Sequence, residues 1–207
     1  MATTLIQLRR LTRARLGVSI TDDFFPDDVL DDGINMAIET IDAEARWPWN
    51  TMVEIVTIGP ANADVPVPLN WRATRSVFFA EKELILVSPV DMLTWSTVIA
   101  DIPNVWAPMP DGVIGVRPIP STDIELRHLY YRQSAWLRND EDEPFIPTQY
   151  APAIVAKAAE LLAARESSGG DTTRHGAEYV TWINRMRRDV RSSTGPTRTR
   201  VRPGSWI

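Results

Sequence analysis

The side chains capable of catalysis or metal ligation are few and far apart. His128 lies in "DIELRHLYYRQS", which alternates like a strand, and His175 lies in "TRHGAEYV" at a helix start. Neither has a second histidine nearby, and the H-E-x-x-H spacing that sets two imidazoles on one helix face is absent. Both read as structural or surface histidines. The chain has no cysteine, which removes disulfides, thiolate zinc sites and cysteine nucleophiles together. It also lacks G-x-x-x-x-G-K-[ST], G-x-G-x-x-G and G-x-S-x-G, and "GVIG" is a turn rather than a phosphate cradle. Carboxylates cluster twice. "TDDFFPDDVLDD" (21–32) holds six aspartates, but not in the alternating order of a calcium loop. "NDEDEP" reads as a solvated link rather than an acid–base pair. We expect no catalytic residue, no cofactor and no metal.

Charge is segregated although the net value is only −5. The aspartates sit at 22–32, while arginine gathers at the two ends: Arg9, Arg10, Arg13 and Arg15, then Arg185, Arg187, Arg188 and Arg191, then Arg198, Arg200 and Arg202. A whole-protein basic field is therefore absent, which leaves only local patches for a polyanion. No apolar run approaches 18 residues, and "MATTLIQLRRLTRARLG" is too charged and periodic for a signal peptide. The expectation is a chain that is neither secreted nor membrane-spanning. At 207 residues with 44% hydrophobic content it can bury a core without crosslinks.

The element order is helix, sheet, helix, an α+β chain. Residues 4–16 place Leu5, Leu8, Leu11, Ala14 and Leu16 on one side and Arg9, Arg10 and Arg13 on the other, with Gly17 as the stop. A second helix starts at Pro26, its first turn acidic at Asp27 and Asp28. Leu30, Ile34, Ala37, Ile38, Ile41 and Ala45 form its stripe, and Pro48 forces an end near residue 46. From 51 to about 87 the period is two, and Pro66 and Pro68 push their strand to a sheet edge. "SPVDMLTWSTVIAD" reads as a short helix with Ser88 and Asp91 in capping-box spacing. Asp111-Gly112 marks a hairpin, and "DIELRHLYYRQS" (123–134) forms one more strand. Helix returns over "TQYAPAIVAKAAELLAARESS" (148–168), with Ala151, Ile154, Val155, Ala158, Leu161 and Leu162 on one face. Gly169-Gly170 breaks it, and a last helix carries Tyr179, Ile183, Met186 and Val190.

Two features are left over. "AEARWPWN" (43–50) puts Trp47 and Trp49 around Pro48 where a connecting loop needs no such apolar surface. The final stretch "STGPTRTRVRPGSWI" has no periodicity and reads as an extended tail. Arg198, Arg200 and Arg202 alternate within it, and Trp206 and Ile207 supply an apolar anchor of the kind that concentrates binding energy in few residues.

"LRRLTRARLG", "FPDDVLDDGINMAIETIDAEARWPW", "VPVPLNW", "LILVSPVDML", "IGVRPIPSTDIELRHLYYRQSAWL" and "IPTQYAPAIVAKAAELLAA", in this order, resemble the head-to-tail adaptor (connector) proteins of tailed bacteriophages. The resemblance spans about residues 4–190 and is one of pattern, with no catalytic signature. It implies an α-helical bundle formed by the N- and C-terminal helices (1–50 and 144–192), an inserted antiparallel β lobe with a short helix (51–143) and an extended C-terminal tail (193–207). It implies a virion protein at the head–tail interface, assembled in the host cytoplasm as a ring of twelve copies. That ring would dock on the portal protein and on a downstream tail or connector protein, with double-stranded DNA passing through unread and no membrane involved. Trp47, Pro48 and Trp49 would form the corner from bundle to lobe, Trp47 capping the bundle and Trp49 packing under the lobe. The segregated charges Arg9, Arg13, Asp27, Asp31, Arg187 and Arg191 would meet between subunits, and Arg198, Arg200, Arg202, Trp206 and Ile207 would dock on the portal. A different class, a nucleic-acid-binding module using the N-terminal helices, is opposed by aspartates lying beside the arginines it would need.

Overall fold

The computed structural model describes residues 3–19, 24–60, 64–94, 102–165 and 171–193. They divide into two compact units, one of residues up to Trp49 with those from Trp136 onward, the other Asn50–Ala135. The described helices are α1 (Leu5–Leu16), α2 (Asp27–Glu44), α3 (Pro89–Leu93), α4 (Ala151–Ala163) and α5 (Thr172–Ser193). With two four-stranded sheets the chain is α+β.

In the first unit α4 is the hub, packing against α1, α2 and α5. Its sequence stripe accounts for only part of what is buried: Ala153, Ala156, Ala159 and Ala163 are covered as well. A helix with three helical neighbours keeps little solvent face, and alanine lets the axes approach. The closeness is measurable at Gly33 of α2, where an added Cβ would lie 2.9 Å from Leu162 Cγ. Leu5, Ile34, Ile38, Ile41, Ile154, Tyr179 and Met186 share one core, so helices from both ends of the chain meet in it.

Helix α1 is turned from its expected orientation. Leu5 and Leu8 are buried, but the other buried positions are Arg9 and Thr12, while Leu11 is 46% exposed. Its end is as expected: Gly17 takes φ 73°, and the amide of Val18 donates to the Arg13 carbonyl at 3.1 Å. Its start has no side-chain cap. Instead the amides of Leu5 and Ile6 donate to the carbonyls of Asp142 and Asp140 at 2.9 and 3.2 Å. Leu137 is buried in the same core, and Asn35 brackets its backbone, accepting from its N–H at 2.8 Å and donating to its carbonyl at 3.0 Å. The segment from Trp136, assigned from sequence to the β lobe up to residue 143, therefore lies in the helical unit. Its carbonyls supply the acceptors that the start of α1 lacks.

The second unit contains β1 (Thr51–Ile58), β2 (Asp64–Pro66), β3 (Trp71–Phe79), β4 (Lys82–Glu83), β5 (Ile85–Leu86), β6 (Val105–Met109), β7 (Val113–Arg117) and β8 (Ile124–Arg132). One sheet has the order β1-β8-β3-β4, the other β2-β7-β6-β5. Pro66 sits in edge strand β2, where no inner ladder needs its missing N–H. Strands β6 and β7 form the expected hairpin, with Gly112 at φ 69°. The lobe is not wholly antiparallel: β5 pairs with β6 in parallel. The connection between them, which contains α3, is the crossover that a parallel pair requires. Ser88 caps α3, its Oγ accepting from the Asp91 amide at 3.1 Å. Ile58, Val65, Val77, Trp106, Ile114, Val116 and Leu126 make one core from both sheets.

Candidate assembly surface

The arginines at the N-terminal end are held by carboxylates of their own chain. Arg9 is 9% exposed. Its Nε and Nη2 donate to Asp31 Oδ1 and Oδ2 at 2.5 and 2.7 Å, a bidentate fork, and its Nη1 donates to Asp140 Oδ1 at 2.6 Å. Asp27 lies 3.9 Å away. The Asp31 hydrogen bond holds the guanidinium above its ordinary pKa against the opposing effect of burial. One turn on, Arg13 donates to Asp27 Oδ1 at 2.6 Å and to the Phe25 carbonyl at 3.3 Å. Arg9, Arg13, Asp27 and Asp31, expected to meet across subunits, thus pair with one another inside one subunit, because packing α1 on α2 brings the two charged runs together. The same guanidiniums are engaged rather than offered to phosphate.

Asp142 organises the loop that carries Asp140. It accepts from the amides of Arg138 and Asn139 at 2.7 and 2.9 Å, and these bonds draw its carboxyl below the usual range. At the other end of α2, which has no glycine cap, Trp47 Nε1 donates to the Ile41 carbonyl at 2.6 Å. Arg187 Nη2 donates to the Glu44 carbonyl at 3.1 Å and to Glu44 Oε2 at 2.7 Å. Two otherwise open helix carbonyls gain partners this way. Arg191 stands in the last turn of α5, where a cation suits the helix dipole.

Trp47 is 1% exposed. Trp49 stacks on it, with ring centroids 5.0 Å apart and planes 8° from parallel, and lies 5.6 Å from the Tyr150 ring. Pro48 opens a single 3-10 turn, Pro48–Asn50, between them. The resemblance implied separate roles for the two rings, and in the helical unit they are stacked on each other. A one-residue spacing across that turn returns its ring to the core that Trp47 fills.

His128 is 1% exposed on β8, its Nε2 3.0 Å from Thr74 Oγ1 and its Nδ1 3.9 Å from Glu54 Oε2. Burial lowers its pKa to about 4. It is a neutral side chain spanning β1 and β3, in keeping with a structural role. His175 is buried at the start of α5. Among the described residues no group of three or more His, Asp or Glu is placed to hold a metal ion, and no helix is long and apolar enough to cross a membrane.

The chemistry on view is therefore charge pairing and apolar packing, arranged around helix ends and sheet edges. A family model described as SU10 adaptor protein matches residues 3–202. The chain belongs to the SU10 adaptor protein family. That match covers both units and supports the resemblance to head-to-tail adaptors of tailed phages, structural components of the virion. No curated protein matches the chain.

Several of the adaptor's contact residues escaped sequence reading. Asp140 pairs with a residue 131 positions away, and nothing local marks it. Glu44, which holds Arg187 and approaches Tyr179, is equally silent. Asn35 did leave a signal, a lone amide inside the apolar stripe of α2. The tail residues Arg198, Arg200, Arg202, Trp206 and Ile207 lie outside the described residues, as does Gly169-Gly170.

Proposed function

We propose that this adaptor works as a ring, of twelve copies in the reading its family resemblance supports. The ring docks on the portal protein and joins the DNA-filled capsid to a downstream tail or connector protein. The family match over residues 3–202 carries the proposal. DNA passes through the ring without sequence recognition. The tail, 193–207, docks on the portal: its prolines and glycines disfavour helix, its alternating arginines suit an acidic partner, and Trp206 with Ile207 anchors it. Weak single tails acting together gain avidity across the ring. Arg9 pairs with Asp31 within one subunit, so a neighbouring subunit would reach the charges nearer solvent, which also hold partners within their own chain. They are Asp27, whose side chain is 60% exposed, Arg187, 40% exposed, and the exposed Arg191.

Mass measurement on connectors isolated from virions tests the assignment. Twelve copies of this chain beside the portal is the expected result, and its absence from such particles would overturn the assignment. Deleting 193–207 is expected to abolish attachment to portal-bearing heads.

A further inference from the structure

Helix α5 carries a charge imbalance that the core does not use. Arg174, Arg185, Arg187, Arg188 and Arg191 stand against only Glu178 and Asp189, in a chain whose net charge is −5. At 3.6 residues per turn Arg174, Thr181, Arg185, Arg188 and Ser192 fall within an arc of about 60°, and all five are exposed. His175, Tyr179, Ile183 and Met186 are buried on the opposite side. The stripe runs along most of a 22-residue helix, a length of about 33 Å. No carboxylate stands in it.

The carboxylates nearby are held by cations outside the stripe. Glu178 accepts from Arg15 Nη2 at 2.8 Å, Glu44 from Arg187 Nη2 at 2.7 Å and Glu160 from Lys157 Nζ at 3.1 Å. The stripe's own pairs are loose. Asp171 lies 3.8 Å from Arg174 and Asp189 3.8 Å from Arg185, with all four side chains between 44% and 69% exposed. Exposed pairs of this kind contribute little and give way to a denser anion. Arg188 has no ion-pair partner among the described residues. Arg185 packs its Cζ 5.0 Å from the centroid of the Trp182 ring, a cation–π contact that limits the freedom lost on binding.

What such a face fits follows from what it lacks. A protein interface is built around an apolar centre. Val180, the one large apolar side chain that α5 exposes among the described residues, lies off the stripe. Single-stranded nucleic acid needs open rings for its bases to stack on, and Trp182 is half-buried and faced by Arg185. A duplex asks only for cations along a backbone that carries one charge per about 1.7 Å of axis. A straight helix of about 33 Å spans about one turn of it. The exposed Asp28 and Asp32 do not spoil the face at Arg185 and Arg188. Helix α2 bonds to α5 through Glu44, and Asp32 stands ~18 Å from that residue along the helix, beyond the screening length at physiological salt.

We propose that the stripe of Arg174, Arg185 and Arg188 binds the phosphate backbone of double-stranded DNA without reading its sequence. The proposal rests on the adaptor reading for the source of the duplex and adds the surface that touches it.

Fluorescence anisotropy of the full chain with two labelled duplexes of unrelated sequence, each about 30 base pairs, tests it across a range of salt. The two duplexes are expected to bind alike. Arg185→Gln with Arg188→Gln is expected to weaken binding more than about tenfold at about 50 mM salt. It should also reduce the slope of log affinity against log salt by about 1.8, two phosphate contacts at about 0.9 each, with the melting midpoint unchanged. Arg10→Gln with Arg138→Gln removes the same charge from exposed positions off α5 and is expected to leave affinity near the parent value. No binding by the parent chain, an equal loss in this second pair, or a strong preference for one duplex would overturn the site. So would binding that vanishes on deleting 193–207 yet ignores Arg185 and Arg188. Purified portal is titrated with the same chains. A stripe variant that loses portal but keeps DNA assigns the face to a protein partner and overturns the proposal. A parent chain that binds DNA through the stripe and never binds portal keeps the site and removes the adaptor reading. Portal binding without DNA binding keeps the adaptor reading and removes the site.

Discussion

Arg9 sets the residue scale, because one side chain serves two elements and a distant loop. Truncation to Ala would leave Asp31, only 21% exposed, without its fork. Removing one partner of a buried pair costs about 3–5 kcal/mol, and the open side of Asp140 reduces this to about 2–4 kcal/mol. Chemical denaturation of the monomer checks it, and a double-mutant cycle of Arg9→Ala with Asp31→Ala should give a coupling above about 1 kcal/mol. An unchanged monomer would return these charges to the subunit boundary. His128 gives a pH signature with a definite sign. Its folded pKa of about 4 lies below the ordinary 6.5, so the unfolded chain binds the extra proton between these values. Its contribution is fully present above pH 6.5 and is lost as pH falls towards 4. His128→Gln should flatten the difference between melts at pH 7.5 and 4.5 relative to the parent chain, and an identical slope would contradict the assignment. Trp47→Ala should cost about 3–5 kcal/mol. Trp47→Phe should cost less, about 1–3 kcal/mol, because a smaller ring remains while part of the buried volume and the bond to the Ile41 carbonyl go.

At the scale of elements, the contact of α2 with α4 sets two effects against each other. Alanine at Gly33 gains about 1 kcal/mol of helix propensity, but its Cβ would enter the space of Leu162. Overpacking costs about 1–3 kcal/mol, so Gly33→Ala should be neutral to destabilising in the parent chain but stabilising when added to Leu162→Ala, a variant that itself costs about 2–5 kcal/mol. Thermal melts of the two single variants and the pair decide it. The loop 138–142 acts as the cap of α1 from across the sequence. Asp142→Ala removes the acceptor that shapes this loop, and the expected result is faster amide exchange at Leu5 and Ile6 with little change in the β lobe.

At the scale of the whole molecule, the order of elements along the chain differs from their grouping in space. The β unit, Asn50–Ala135, is an insertion between helices that share one core. Separate units allow the tail to be judged independently of the core. Deleting 193–207 should leave the melting midpoint nearly unchanged while abolishing attachment to portal, and a large fall in the midpoint would place the tail in the fold instead.

Spacing along the chain was enough for whatever depends on neighbours a few residues away. Gly17, Ser88, Asp111-Gly112 and Pro66 each act through backbone geometry that one residue type dictates, and each stands where its chemistry puts it. The apolar stripes of α2 and α5 were legible for the same reason, since one face of each meets the core. Contacts between distant segments governed the rest. The stripe of α4 understated its burial because three helices surround it, and periodicity reports one face only. The buried face of α1 includes Arg9 because Asp31 and Asp140 neutralise it there, and no rule of spacing links residues 9, 31 and 140. The boundary near Trp136 followed the hydrogen-bonding needs of the start of α1 rather than local composition. The parallel pairing of β5 with β6 came from a two-residue strand too short to announce itself, whose partner is fixed by the crossover through α3.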